Sequence, residues 1–285
     1  MNERTLQFGP SRELVGTLCA PASGAGPASG TTTGLLLLNA GIVHRIGPHR
    51  INVRLAREAA TRGIPSLRFD LAGRGDSSPA APGLSYDEQA VADIGQAVAT
   101  LCRYGRCDRV MLFGICSGAD DGLSAAMVEH RIVSLVMFDP PIYPDLRWRA
   151  RAYAGKLRKF GLRGGLERLL AIRRTLAGVD VGDGDNYGRD VPPLPVYAAR
   201  LLELVNRGVG VRLVYSGSSC DDTDFRTQCR RVLGHAGLAG RMETEFLPDV
   251  DHVVSTRESQ EILVARMHAW MDRLRQDHVA DARGQ

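Results

Sequence analysis

The stretch Gly114-Ile115-Cys116-Ser117-Gly118 sets one thiol between two glycines, where an apolar run from Val110 to Phe113 gives way to a segment opening on Ala119-Asp120-Asp121. The spacing predicts a strand, a sharp turn and a helix, the geometry of a nucleophile elbow that holds the side chain of Cys116 exposed. Glycines flank the thiol because a larger side chain would clash in such a turn. The first N–H groups of the helix point back at Cys116 and favour a thiolate, together with any oxyanion that forms beside it. The backbone N–H of Ser117 supplies half of an oxyanion hole. A thiolate so placed attacks thioesters and activated esters, and its acyl-enzyme passes the acyl group to water or another acceptor. The same pentapeptide also fits a packed structural turn, so the reading depends on what the rest of the chain brings to Cys116.

The elements that must position it alternate along the sequence. Residues 4–9 and 12–19 read as a β-hairpin, followed by a loop rich in Gly, Ala, Ser, Thr and Pro from Ala20 to Thr33. Leu35-Leu36-Leu37-Leu38 is the continuous apolar run of a strand buried on both faces. Helical spacing covers 50–62 and ends at Gly63, a C-terminal cap. Further strands are predicted at 64–69, 109–113, 133–138, 209–215 and 242–247, and further helices at 85–103, 118–130, 195–207 and 257–275. Strands alternating with helices argue for an α/β fold with a mostly parallel, right-handed wound sheet. The rhythm breaks after Pro141, where 142–190 reads as basic helices followed by a Gly/Asp-rich loop. The tail from Asp277 is expected to be disordered.

Composition excludes several classes. The 285 residues suit one large α/β domain with an insertion, and 44% hydrophobic and 24% charged residues are ordinary for a soluble globular protein. There is no apolar run of about 18 residues, so no transmembrane segment is expected. Six cysteines form no C-x-x-C pair, which speaks against a zinc ribbon, and we expect neither metal nor cofactor. With no export signal at the N-terminus we expect a cytoplasmic protein with reduced thiols. The net charge of +4 is concentrated, since residues 145–174 hold ten Lys/Arg against Asp145 and Glu167.

The order of these parts resembles an α/β-hydrolase. Asn39-Ala40-Gly41, the Asp70-x-x-Gly73-x-Gly75-x-Ser77 turn, the elbow at Cys116 and the late Asp251-His252 fall in that family's sequence. More narrowly, Asn39-Ala40-Gly41-Ile42-Val43-His44-Arg45-Ile46-Gly47-Pro48 together with Gly114-Ile115-Cys116-Ser117-Gly118-Ala119-Asp120 resembles the exosortase-associated hydrolases, bacterial proteins found beside exopolysaccharide or natural-product genes. The resemblance covers roughly residues 5–273. It implies an α/β-hydrolase core at 1–141 and 192–276, a basic helical lid at 142–191 and a disordered tail at 277–285.

The resemblance also implies roles. Cys116 is the nucleophile and His252, on the loop after the last strand, the general base. The acid is expected shortly after the seventh strand, where Ser219 stands in the family's Asp position, so we place it at Asp221, with Asp222, Asp224 and Asp139 (at the end of the sixth strand) as alternatives. Gly41 and Ser117 supply the oxyanion-hole N–H groups. His44, Arg45 and Arg50 are candidates to meet an anionic substrate group or to cap the helix near 50. Asp120 and Asp121 read as compensation of the helix dipole. The substrate is expected to be a small-molecule thioester or ester, and an acyl-carrier protein or coenzyme A docked by the basic segment is a candidate carrier of the acyl group; nucleic acid is not expected. Thioesterase- or esterase-like hydrolysis, transfer or cyclisation onto a nucleophile other than water, and a non-catalytic binding protein on the same fold are the three outcomes carried forward.

Overall fold

The computed structural model describes residues 1–22, 32–79, 82–143, 191–220, 225–227, 229–230, 234 and 237–283. Its centre is an eight-stranded sheet of order β1-β2-β4-β3-β5-β6-β7-β8. The strands are β1 (Asn2–Phe8), β2 (Leu14–Ala20), β3 (Thr33–Leu37), β4 (Ser66–Asp70), β5 (Arg109–Ile115), β6 (Ile132–Phe138), β7 (Gly210–Ser216) and β8 (Glu243–Leu247). β1 and β2 form the expected antiparallel hairpin, and β2 runs antiparallel to β4. Every remaining pair is parallel.

The apolar runs explain the layering. Successive side chains of a strand point to opposite faces, so Leu36 and Leu38 enter one core while Leu35 and Leu37 enter the other. Along β5, Val110 and Leu112 join the first core, and Met111, Phe113 and Ile115 the second. Helices α2 (Tyr86–Gly105), α3 (Ser117–Val128) and α4 (Leu194–Asn206) cover the first face. Helices α1 (Ile51–Thr61) and α5 (Arg257–Arg283) cover the second, with Trp270 and Met267 of α5 fully buried against it. α2 begins at a capping box: Ser85 accepts from the Glu88 amide, and the Glu88 carboxylate accepts from the Ser85 amide.

The helix expected at 257–275 continues to Arg283, so the chain expected to be disordered from 277 is helical over most of its length. Residues 144–190, nearly all of the expected lid at 142–191, lie outside the described residues, as does the basic segment 147–174. Among the described residues, no helix is long and apolar enough to cross a membrane.

Candidate active site

Cys116 stands between the last residue of β5 and the first of α3, with φ 58° and ψ −124°. Positive φ is uncommon for any residue with a side chain and concentrates at functional sites. The turn is closed by near contact on both sides. A methyl group on Gly114 would strike the backbone of Gly118, and one on Gly118 would strike the carbonyl oxygen of Asn39. The two glycines therefore let α3 start directly against the loop after β3, which brings Gly41 to Ser117, the residue after Cys116. The Cys116 amide donates to the Phe138 carbonyl at 2.9 Å and pins the elbow to the end of β6.

The residue after Phe138 is Asp139, also at positive φ (50°) and 2% exposed. Its Oδ2 lies 2.7 Å from Nδ1 of His252. The cradle around the carboxylate is complete. Ser216 donates its amide to Oδ1 and its hydroxyl to Oδ2, both at 2.7 Å, and Ser219 Oγ sits 2.6 Å from Oδ1. A buried carboxylate needs such donors to offset desolvation. His252 follows β8 on a loop held by the Gly217 amide, which donates to the Val250 carbonyl at 2.9 Å, and by its own amide, which donates to Ser218 Oγ at 3.2 Å. Its ring also shares a hydrogen bond with Cys116; with Nδ1 committed to Asp139, that bond belongs to Nε2.

Among the described residues, the carboxylate on His252 Nδ1 is Asp139, one of the alternatives to Asp221. Asp221, Asp222 and Asp224 lie outside the described residues. Ser219, at the position where the acid was expected after β7, donates to the Asp139 carboxylate at the end of the neighbouring β6. The sequence signal available was Asp139-Pro140 closing β6; Ser216 and Ser219 gave none.

Electrostatics follow from the line of contacts. Burial works against a charged His252 ring, but the hydrogen bonds and negative charge of Asp139 and Cys116 outweigh it and raise its pKa to about 9. The ring is therefore cationic at neutral pH, and beside Cys116 it favours the thiolate.

Gly41 and Ser117 meet across the turn: the Gly41 amide, expected from sequence to face an oxyanion, donates to Ser117 Oγ at 3.0 Å. Asp121, read from sequence as dipole compensation, is 6% exposed and accepts from the Tyr86 hydroxyl at 2.9 Å.

Of the residues offered for an anionic substrate group, Arg45 and His44 are engaged with Asp70 and Asp76. Arg45 is buried, with Nη1 2.5 Å from Asp70 Oδ2 and 2.7 Å from Asp76 Oδ2. Arg50 precedes α1 without a side-chain capping bond. His44, Asp70 and Asp76 gather three donor atoms within 4.8 Å of one another, a grouping that suits a cation. Arg45 Nη1 also lies 2.8 Å from His44 Nε2 and so already supplies the positive charge among them. The Asp70-x-x-Gly73-x-Gly75-x-Ser77 turn is thereby explained as structure. Asp70 binds the amides of Arg45 and Asp76 at 2.6 and 3.2 Å, a side chain on Gly75 would strike its carboxylate, and Ser77 Oγ donates to its carbonyl at 2.6 Å.

No protein-family model matches the chain, and no curated protein matches it in sequence. Solved structures do match over nearly the whole length. An esterase from Pyrococcus furiosus superposes with a TM-score of 0.59 at 15% identity, covering 95% of this chain and 91% of its own. An α/β serine hydrolase without lid from Xanthomonas campestris gives 0.53 at 14%, covering 96% and 94%. An α/β serine hydrolase homologue from Coxiella burnetii gives 0.54 at 13%, covering 93% and 95%. With a β1-β2-β4-β3-β5-β6-β7-β8 sheet, an elbow after β5 and a histidine after β8, the chain has the α/β-hydrolase fold.

Proposed function

We propose that the chain is an acyl-transfer enzyme working through an acyl-enzyme on Cys116, with a thioester or ester as donor. The observation that carries this reading is the continuous line from Cys116 through His252 to Asp139, set at the N-terminus of α3. The Cys116 thiolate attacks the carbonyl carbon, and the N–H groups of Gly41 and Ser117 receive the oxyanion. The tetrahedral adduct collapses as His252 gives its Nε2 proton to the leaving group, which leaves an acyl-thioester on Cys116. Neutral His252 then takes a proton from the acceptor as that acceptor attacks. Collapse of the second adduct restores thiolate and imidazolium. Asp139 holds the ring so that Nε2 faces the sulfur and stabilises its cationic form.

With water as acceptor the reaction is thioesterase- or esterase-like hydrolysis, and with another nucleophile it is acyl transfer or cyclisation. The esterase among the structural neighbours is in line with an ester donor, and the serine hydrolases among them differ from this chain in the cysteine at its elbow. We extend the reading to the exosortase-associated hydrolases on the two stretches Asn39–Pro48 and Gly114–Asp120. We also extend it to a cytoplasmic setting, in which the six cysteines stay thiols, and to a lid at 142–191 whose basic residues dock an acyl-carrier protein or coenzyme A. The test is turnover of p-nitrophenyl esters and acyl-coenzyme A thioesters by the full chain. Cys116→Ala loses all turnover, and Cys116→Ser is severely impaired because an alcohol is far harder to deprotonate. Full activity in Cys116→Ala rejects the proposal.

A further inference from the structure

Gly41 lies in an open stretch of the site. Its φ is +56°, a Cβ built on it meets nothing within 4 Å, and the neighbouring Ile42 is 91% exposed. The turn around it is closed by the Val43 amide donating to the Ala40 carbonyl at 3.0 Å and by Asn39 Nδ2 donating to the Val43 carbonyl at 2.8 Å. The first bond holds the Ala40–Gly41 peptide unit from its carbonyl side, and Ser117 Oγ holds the same unit on the Gly41 amide. The following unit, Gly41–Ile42, is held at the Gly41 carbonyl by Arg74 Nη1.

Arg74 is braced in turn. Its Nη2 donates to the Tyr86 hydroxyl at 2.5 Å, and its guanidinium carbon lies 5.1 Å from the centroid of the Tyr86 ring. The Tyr86 hydroxyl donates at 2.9 Å to Asp121, a carboxylate buried in the opening turns of α3. Burial lifts the Asp121 carboxyl to about 6, against the Tyr86 hydrogen bond and the charge of Arg74. A carboxylate kept there at that cost has Arg74 as its nearby cation, reached through Tyr86. The acyl-transfer steps above use none of these three side chains.

Building on the acyl-transfer reading, we infer that Arg74 is a positioning residue for the oxyanion hole, fixing the Gly41 loop to the elbow helix through Tyr86 and Asp121. The loop and the thiol then share one frame, and the Gly41 N–H is aimed where the substrate oxygen becomes negative, which is where pre-organised donors act.

Two reactions of the same sulfur separate this role from a general loosening of the fold. Acylation of Cys116 by p-nitrophenyl acetate passes through an oxyanion; alkylation by iodoacetamide does not. We expect Arg74→Ala to slow acylation by about tenfold or more, below the roughly 10²–10³ that loss of an oxyanion donor costs, and to leave alkylation within about twofold. Arg74→Lys, which keeps a donor within reach of the Gly41 carbonyl, regains part of the loss, and Tyr86→Phe and Asp121→Asn fall between. Acylation at the wild-type rate in Arg74→Ala, or both reactions slowed together, overturns the inference. Failure of the acyl-transfer reading is recognised separately. Wild-type Cys116 would then be alkylated and never acylated, and the inference would fall with it.

Discussion

Cys116 and Asp139 are joined twice, once through the side chain of His252 and once through the backbone. The Cys116 amide donates at 2.9 Å to the carbonyl of Phe138, and Asp139 is the next residue. Cys116 and Asp139 therefore sit at the ends of adjacent parallel strands, β5 and β6, both at positive φ. Strain of this kind persists where surrounding structure over-determines it, and here the sheet itself does so.

The proposal that Asp139, after β6, serves His252 as its acid is open to direct test. Asp139→Asn keeps the cradle's shape but removes the charge that raises the His252 pKa, and the loss expected for impaired proton transfer is about 10²–10⁴-fold in turnover. Because Ser219 Oγ lies 2.6 Å from Asp139 Oδ1, a carboxylate at 219 reaches the same region. Adding Ser219→Asp to Asp139→Asn should recover at least part of the loss in kcat/KM. A double variant no better than the single one argues that only the β6 position can serve His252.

The pH dependence has a definite sign. With a folded pKa of about 9 against an ordinary 6.5, His252 holds a proton in the native state that the unfolded chain gives up. Its contribution to stability is full below about 6.5 and is lost as pH rises through about 9. The same proton serves the leaving group, so kcat/KM on an oxygen ester should fall above about pH 9. Asp139→Asn should bring that limb to lower pH. A pH–rate series on both proteins checks this, and an identical basic limb in the two would disconnect Asp139 from His252.

The hydroxyl on the Gly41 amide predicts a mild phenotype. In Ser117→Ala the backbone N–H groups of residues 41 and 117 both remain, so turnover should stay within about tenfold of wild type. A loss near 10²–10³ would instead make the hydroxyl itself an oxyanion donor.

Thiol labelling reports the pairing without a substrate. Iodoacetamide at neutral pH should modify Cys116 first, and His252→Ala should slow it by removing the cation beside the thiolate. The competitor is Cys102, whose pKa is lowered by the Cys107 thiol 3.9 Å away, whereas burial raises Cys19 and Cys229. Cys102 should not respond to His252→Ala. Peptide mapping over time separates the two, and equal slowing of both would point to a change in the fold.

Much of the architecture was legible because it rests on local pattern. The doubly buried strand at Leu35–Leu38, the strand–turn–helix around Cys116 and the alternation that builds a parallel sheet are all written in short stretches. The place of His252 after the last strand was legible in the same way. What could not be read depends on distant residues meeting in space. Asp139 reaches His252 across 113 positions, and the Ser216 and Ser219 donors that complete it look like any loop serines. Arg45 resembled a substrate-binding cation until Asp70 and Asp76 were seen on either side of it. Asp121 resembled a helix-dipole residue because nothing local indicates its burial beneath Tyr86.

The central claim is that Cys116 carries the acyl group, and the most direct measurement is mass spectrometry of the acid-quenched protein during turnover of an acyl thioester. The account predicts an adduct of the acyl mass on the peptide containing Cys116, absent in Cys116→Ala. Steady turnover with no adduct on Cys116, and undiminished in Cys116→Ala, would contradict it.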